Sequence, residues 1–218
     1  MCAGSVPATI AQKGQAEPSL EDARLAGIGA SWRMPRIAPL PLDEWDEEVR
    51  PLGGGGMSAP DGSPLNIFAT LANHPKLMKR WVVFANHVLA KSTLSPRDRE
   101  LLILRAGWNC RAPYEWGQHV AIALRSDISQ DEIDRIPRGP DAAGWDSFDA
   151  ALLRFADELH ANANVTDATW ATLAHRYDTE QLMDAVFAVG QYTLVSYALN
   201  TFGVEREPGV VGLPAEPA

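Results

Sequence analysis

Cysteine is scarce in this sequence: 218 residues carry two, Cys2 and Cys110. That is too few for a disulfide framework, and no zinc cage can be built from them. Basic charge is short as well, with 19 Lys and Arg against 28 Asp and Glu and a net charge of −9. No block of Lys and Arg appears, which argues against a nucleic-acid groove or an anionic membrane surface. A small molecule or a protein is the better-fitting partner, with no nucleic acid and no membrane. The N-terminus lacks a basic start followed by a long apolar core, so no signal peptide is expected. The most apolar stretch, 185–199, is interrupted by Gln191 and Ser196 and is short for a bilayer. A cytoplasmic location follows as the expectation. Strand alternation flanked by hairpin turns is also missing.

What is present reads as one helical domain. Apolar residues make up 46% and charged residues 22%, an ordinary balance for a globular chain of this length. Residues 1–34 mix Gly, Ala, Gln, Glu and Lys without periodicity and read as a loosely ordered tail, with a short helix around 20–25. "RIAPLPLDEW" (36–45) is a proline-punctuated entry, after which Asp43 is expected to cap a short helix to about Val49. "GGGGMSAPDGSP" (53–64) is a flexible loop, at the surface or acting as a lid over a pocket. Its Gly54-x-Gly56-x-x-Ala59 imitates a dinucleotide fingerprint, but no strand precedes it and no Gly-Lys-Ser/Thr follows, so no phosphate loop is expected. From Ser63 onward, helix starts recur: Ser63-Pro64 and Ser95-Pro96 read as N-caps followed by proline. Ser129-x-x-Glu132 is a capping box, and Asp178-x-x-Gln181 is close to one. The runs between them predict helices at about 66–73, 76–90, 96–109, 112–125, 129–136, 146–162, 167–175 and 179–201. The fold class is therefore all-α, an antiparallel bundle joined by short loops.

One stretch stands out for its chemistry. In "YEWGQH" (114–119), Glu115 and His119 lie one helical turn apart on a helix whose other faces are mostly apolar. On an exposed helix such a pair contributes only about 0.2–0.5 kcal/mol. On a buried face each group needs a partner, and the pairing shifts pKa values toward those that acid–base catalysis uses. A satisfied core histidine oriented by a carboxylate is the structural alternative. The preceding helix supplies a second acid, Glu100, just before the apolar run Leu101 to Leu104. Antiparallel packing would bring Glu100 toward His119, giving a carboxylate–imidazole–carboxylate relay. Alternatively Glu100 pairs with Arg97 or Arg105 at the surface.

"RDRELLILRAGWNCRAPYEWGQHVAIA" (97–123) resembles the core motif of the carboxymuconolactone decarboxylase/AhpD-like superfamily. "FDAALLRFADELH" (148–160) and "QLMDAVFAVGQYTLVSYALNTFGV" (181–204) are similar to members too, so the resemblance covers roughly 35–208, followed by a C-terminal tail, 209–218. It implies an AhpD-like helical bundle that assembles as a homo-oligomer, a dimer, trimer or hexamer. The peroxidase branch of the family has a Glu, a Cys-x-x-Cys and a His four residues after the second Cys. Glu100 and His119 match the Glu and His, whereas Ala112 and Glu115 occupy the cysteine positions and Cys110 comes two residues early. The decarboxylase branch carries Glu-x-x-x-His here, which Glu115 and His119 match. The resemblance thus implies cofactor-free general acid–base chemistry, a decarboxylation or related lyase step, on a small carbonyl- or carboxylate-bearing molecule. His119 would be the acid/base, Glu115 would orient it, and Glu100 would relay or anchor.

Other residues complete the expected pocket. Tyr114 would donate to a developing oxyanion, and Trp108 and Trp116 would form walls. Cys110, His87 and Tyr192 are further lining candidates. Neither a metal nor a cofactor is expected, since Glu-x-x-x-His matches neither the di-iron nor the zinc-protease spacing. His74 reads as a cation at a helix C-terminus, and His160 and His175 as helix-end or surface residues. Two further readings stay open: a thiol-dependent peroxidase using Cys110, and a binding protein without turnover.

Overall fold

The computed structural model describes residues 35–54, 58, 59 and 61–215. The expected tail at 1–34, with its short helix, lies outside the described residues. Eight α-helices occur among the described residues. They are α1 (Asn66–Leu71), α2 (Pro75–Asn86), α3 (Pro96–Asn109), α4 (Pro113–Ala123), α5 (Gln130–Ile133), α6 (Ser147–Asn162), α7 (Asp167–Ala174) and α8 (Thr179–Phe202). A π-helical turn (His87–Lys91) extends α2, and short 3-10 turns lie at Leu42–Glu44, Arg50–Gly53 and Ile136–Arg138. No strand longer than an isolated bridge occurs among the described residues.

Local chemistry explains most boundaries. Ser95 Oγ accepts from the Asp98 amide at 3.0 Å, and Pro96 follows at the first helical position, starting α3. Complete capping boxes at Ser129/Glu132 and Asp178/Gln181 start α5 and α8. Gly203, with φ of 69°, ends α8 in the left-handed conformation that glycine adopts without strain.

Three local expectations are corrected. Ser63-Pro64 does not open α1: Pro64 bridges Ser58, and the helix begins two residues later, at Asn66. Asp43 sits inside a single 3-10 turn instead of capping a helix to Val49; the chain leaves that turn extended at Trp45, and the Asp46 carbonyl starts a separate turn by accepting from the Val49 and Arg50 amides. His74 is the N-cap of α2, its Nδ1 accepting from the Leu77 amide at 3.4 Å, instead of a C-terminal cation.

α3 is the axis of the bundle and packs on α4, α6 and α8. Every residue from Asp98 to Trp108 is buried. A helix buried all round must pair its charged side chains inside the protein. Tyr177 donates to Asp98 at 2.6 Å, Arg97 reaches Glu132 and Asp149, and Arg105 reaches Asp157. The tight corner after α3, with Arg111 at φ of 51°, turns the chain back so that α4 lies alongside.

α8 extends beyond the apolar run seen in the sequence, to 24 residues, and is long and apolar enough to cross a membrane by composition. Half of its most apolar window is buried within the bundle, as in a core helix. After α8 the chain crosses α4. At Gly117 an added Cβ would come within 2.2 Å of the Val211 carbonyl oxygen, so only glycine permits this crossing. Residues 209–215, expected as part of a tail, therefore lie against the bundle, and Leu213 packs on its core.

Candidate active site

The α3–α4 pair brings the three predicted groups together. His119 Nδ1 donates to Glu100 Oε2 at 2.7 Å, and His119 Nε2 lies 3.0 Å from Glu115 Oε1. Glu100, Glu115 and His119 are 0%, 4% and 6% exposed, so this is a buried cluster and not a surface pair. The two contacts differ in quality. The Nδ1 bond is directed, whereas the Nε2 approach has the distance of an ion pair without hydrogen-bond geometry, leaving Glu115 Oε1 buried with no directed donor. Glu100 fixes the ring, and the Nε2 proton is the less constrained one.

Electrostatics sets the protonation state. Burial pushes the His119 pKa down, but the charges of Glu100 and then Glu115, with the Glu100 hydrogen bond, outweigh it and bring it to about 10. The resting ring is an imidazolium, a proton donor at neutral pH. Both of its nitrogens carry protons in this state.

Two residues complete the surroundings. Arg99, buried like its neighbours, donates from Nε to Glu100 Oε1 at 3.2 Å. Tyr192, from α8, packs its ring edge-on against the imidazole with centroids 4.7 Å apart. Burial, followed by the charges of Glu115 and Glu100, holds the Tyr192 hydroxyl protonated well above its usual range. Two carboxylates, one imidazolium and one guanidinium balance in charge, which is how such a cluster survives desolvation.

The remaining candidates lie elsewhere. Tyr114 does not face an oxyanion: its hydroxyl donates to Glu207 Oε1 at 2.7 Å and accepts from the Ile67 amide at 3.2 Å. It ties α4 to α1 and to the C-terminal segment, and Glu207 also accepts from Gln118 and from the Asn66 amide. His87 faces solvent. On the π-helical turn its side chain is 53% exposed and 3.7 Å from Asp184, because the turn points it outward. Trp108 and Trp116 pack edge-to-face at 6.0 Å within the main core. Cys110 is half-buried, with Sγ 3.8 Å from His160 Nδ1. Burial pushes its thiol up, and the charge of Glu115 adds to the rise, which the nearby Thr193 and Ser196 hydroxyls only partly offset. An apolar cavity of about 100 Å³ lies away from the cluster, between α1, α2 and the C-terminal half of α8, with Trp81 and Leu194 among its walls. It shares no residue with the His119 cluster, although a cavity was expected at that face.

Sequence reasoning missed Arg99 and Glu207. Arg99 was legible as the residue beside Glu100 on a helix with no solvated face. Glu207 is 89 residues from Gln118 and 93 from Tyr114, and no local pattern marks such a contact.

A buried carboxylate–imidazolium–carboxylate cluster thus lies between two central helices of an all-α bundle. Residues 75–158 match the model of the carboxymuconolactone decarboxylase family. Together with the shared fold, this match makes the chain similar to the carboxymuconolactone decarboxylase/AhpD-like superfamily. Among solved structures, an uncharacterized peroxidase-related protein with an alkylhydroperoxidase AhpD core, from Ralstonia eutropha JMP134, superposes with a TM-score of 0.68 at 20% identity, covering 79% of this chain and 93% of that one. A putative antioxidant defence protein AhpD from Agrobacterium tumefaciens gives 0.59 at 19% identity, covering 63% and 94%. A cysteine-to-alanine variant of the debrominase Bmp8, in complex with 2,3,4-tribromopyrrole, gives 0.66 at 14% identity, covering 79% and 91%. At these identities the likeness is one of fold. No curated protein sequence matches the chain significantly.

Proposed function

We propose that this protein is a cofactor-free enzyme that performs general acid–base chemistry, a decarboxylation or related lyase step, on a small carbonyl- or carboxylate-bearing molecule. The observation that carries this reading is the His119 imidazolium, fixed by Glu100 at 2.7 Å and faced by Glu115 at 3.0 Å. In a decarboxylation the C–C bond to the departing carboxylate breaks, CO2 leaves, and the bonding pair moves into an adjacent carbonyl as an enolate. His119 then gives its Nε2 proton to carbon as the carbonyl reforms, and the ring regains a proton from solvent. One proton is consumed for each CO2 released. Positioned acids of this kind contribute about 10²–10⁴-fold. A substrate screen of wild type against His119→Ala tests the reading: turnover present in the first and lost in the second supports it, and equal turnover refutes it.

A thiol peroxidase is the second reading, favoured by the approach of Cys110 to His160. Its weakness is the thiolate, which burial and Glu115 both disfavour. Unchanged turnover in Cys110→Ser removes it. Self-association belongs to the first reading: Met183, Phe187, Leu194 and Tyr197 form an exposed apolar stripe on α8. The stripe is spaced about evenly around Gly190, above which the space is open, so a second copy can cross there. Light scattering of the full chain checks this, and a monomer at all concentrations would oppose it.

A further inference from the structure

Arg99 is about as buried as the histidine it serves, at 9% exposure, yet only Nε is engaged. Its terminal nitrogens, Nη1 and Nη2, make no hydrogen bond among the described residues. The Tyr192 hydroxyl, on a residue 7% exposed, makes none either. A guanidinium is a planar fork, and a fork left open on its two terminal nitrogens, which keep some access to solvent in a largely buried residue, is matched by a planar two-oxygen anion. Both groups belong to the His119 cluster: Arg99 through Glu100, and Tyr192 through its edge contact with the imidazole. The charge of Arg99 also reaches Tyr192, opposing the rise of its hydroxyl pKa.

From this geometry we infer that Arg99 and Tyr192 form the receptor for a substrate carboxylate, with the two Arg99 terminal nitrogens donating to its oxygens and the Tyr192 hydroxyl donating beside them. The inference rests on the acid–base reading for its reaction, but the receptor is defined by binding alone. The carboxylate held here is one that persists through the reaction. A group leaving as neutral CO2 would lose its ion pair with Arg99 in the transition state, and binding the ground state more tightly than the transition state slows a reaction. The substrate class is therefore a carboxylate whose reacting carbon lies elsewhere in the molecule, within reach of His119 Nε2. Glu115 Oε1, buried without a directed donor, offers an acceptor to a hydroxyl or enol of the same molecule.

Benzoate and its neutral isostere benzamide are suitable probes, titrated into the full-length protein at fixed ionic strength and followed by calorimetry. Wild type should bind benzoate at least about tenfold more tightly than benzamide, equivalent to 1.4 kcal/mol or more. Arg99→Met should abolish that preference, and Tyr192→Phe should weaken benzoate several-fold. Arg99→Lys keeps the charge without the fork and should bind at an intermediate strength, which serves if Arg99→Met fails to fold. Equal affinity for the two probes, no binding of benzoate by wild type, or full benzoate affinity in the Arg99 variants would each overturn the receptor. His119→Gln separates this inference from the reading beneath it. Retained carboxylate preference with no turnover supports both, whereas retained preference with undiminished turnover keeps the receptor and removes the acid–base role.

Discussion

Two arginines on α3, six residues apart, are equally buried: the side chains of Arg99 and Arg105 are 11% and 10% exposed. Arg105 is fully occupied. Its Nε and Nη2 reach the two oxygens of Asp157 at 2.6 and 2.9 Å, and its Nη1 donates to the Ile136 carbonyl at 2.6 Å. Asn109 donates to the same aspartate at 2.8 Å. Arg99 uses one nitrogen, on a carboxylate that also holds an imidazolium. One helix, one residue type and one degree of burial thus give a closed brace at one end and an open cluster at the other. The brace joins α3 to α6, and its geometry leaves nothing for a ligand. The open cluster retains donors and an acceptor without directed protein partners, and buried groups of that kind are where a ligand can bind.

Breaking the brace should produce the largest change in stability. Arg105→Met should cost about 2–4 kcal/mol in chemical denaturation, below the range for a fully buried pair because Asp157 is partly exposed. Arg99→Met should cost less, since Glu100 keeps the His119 bond and no carbonyl is orphaned. A larger loss at Arg99 than at Arg105 would invert the comparison. pH should act selectively on the open cluster. The folded His119 pKa, about 10, lies above its unfolded value near 6.5, so its contribution to stability is complete below about 6.5 and is lost as pH rises through about 10. Denaturation at several pH values should show this decline in wild type and a reduced one in His119→Gln. A further effect lies outside both clusters. Gly117→Ala should cost about 1–3 kcal/mol by overpacking against Val211, with Arg105–Asp157 intact.

The fold was readable in the sequence where local chemistry decides it. The caps at Ser95, Ser129 and Asp178 fixed three helix starts, and apolar periodicity located the rest to within a few residues. Ser63-Pro64 misled because the same dipeptide also suits an extended turn, and the bridge to Ser58 takes it there. At the site, Glu115 and His119 were legible from their spacing, and Glu100 from the register of the family motif. Tyr114 was adjacent in sequence but belongs to a different junction, since its partner Glu207 lies 93 residues away. Arg99 escaped because a sequence shows which charges exist on a helix but not which remain without a partner after packing.

The central claim is that His119 is an imidazolium held between two carboxylates. An NMR titration of its ring nitrogens, assigned by comparison with His119→Gln, tests it directly. Both nitrogens should stay protonated through neutral pH and titrate near 10. A ring that titrates at or below the ordinary histidine value of about 6.5 would contradict it.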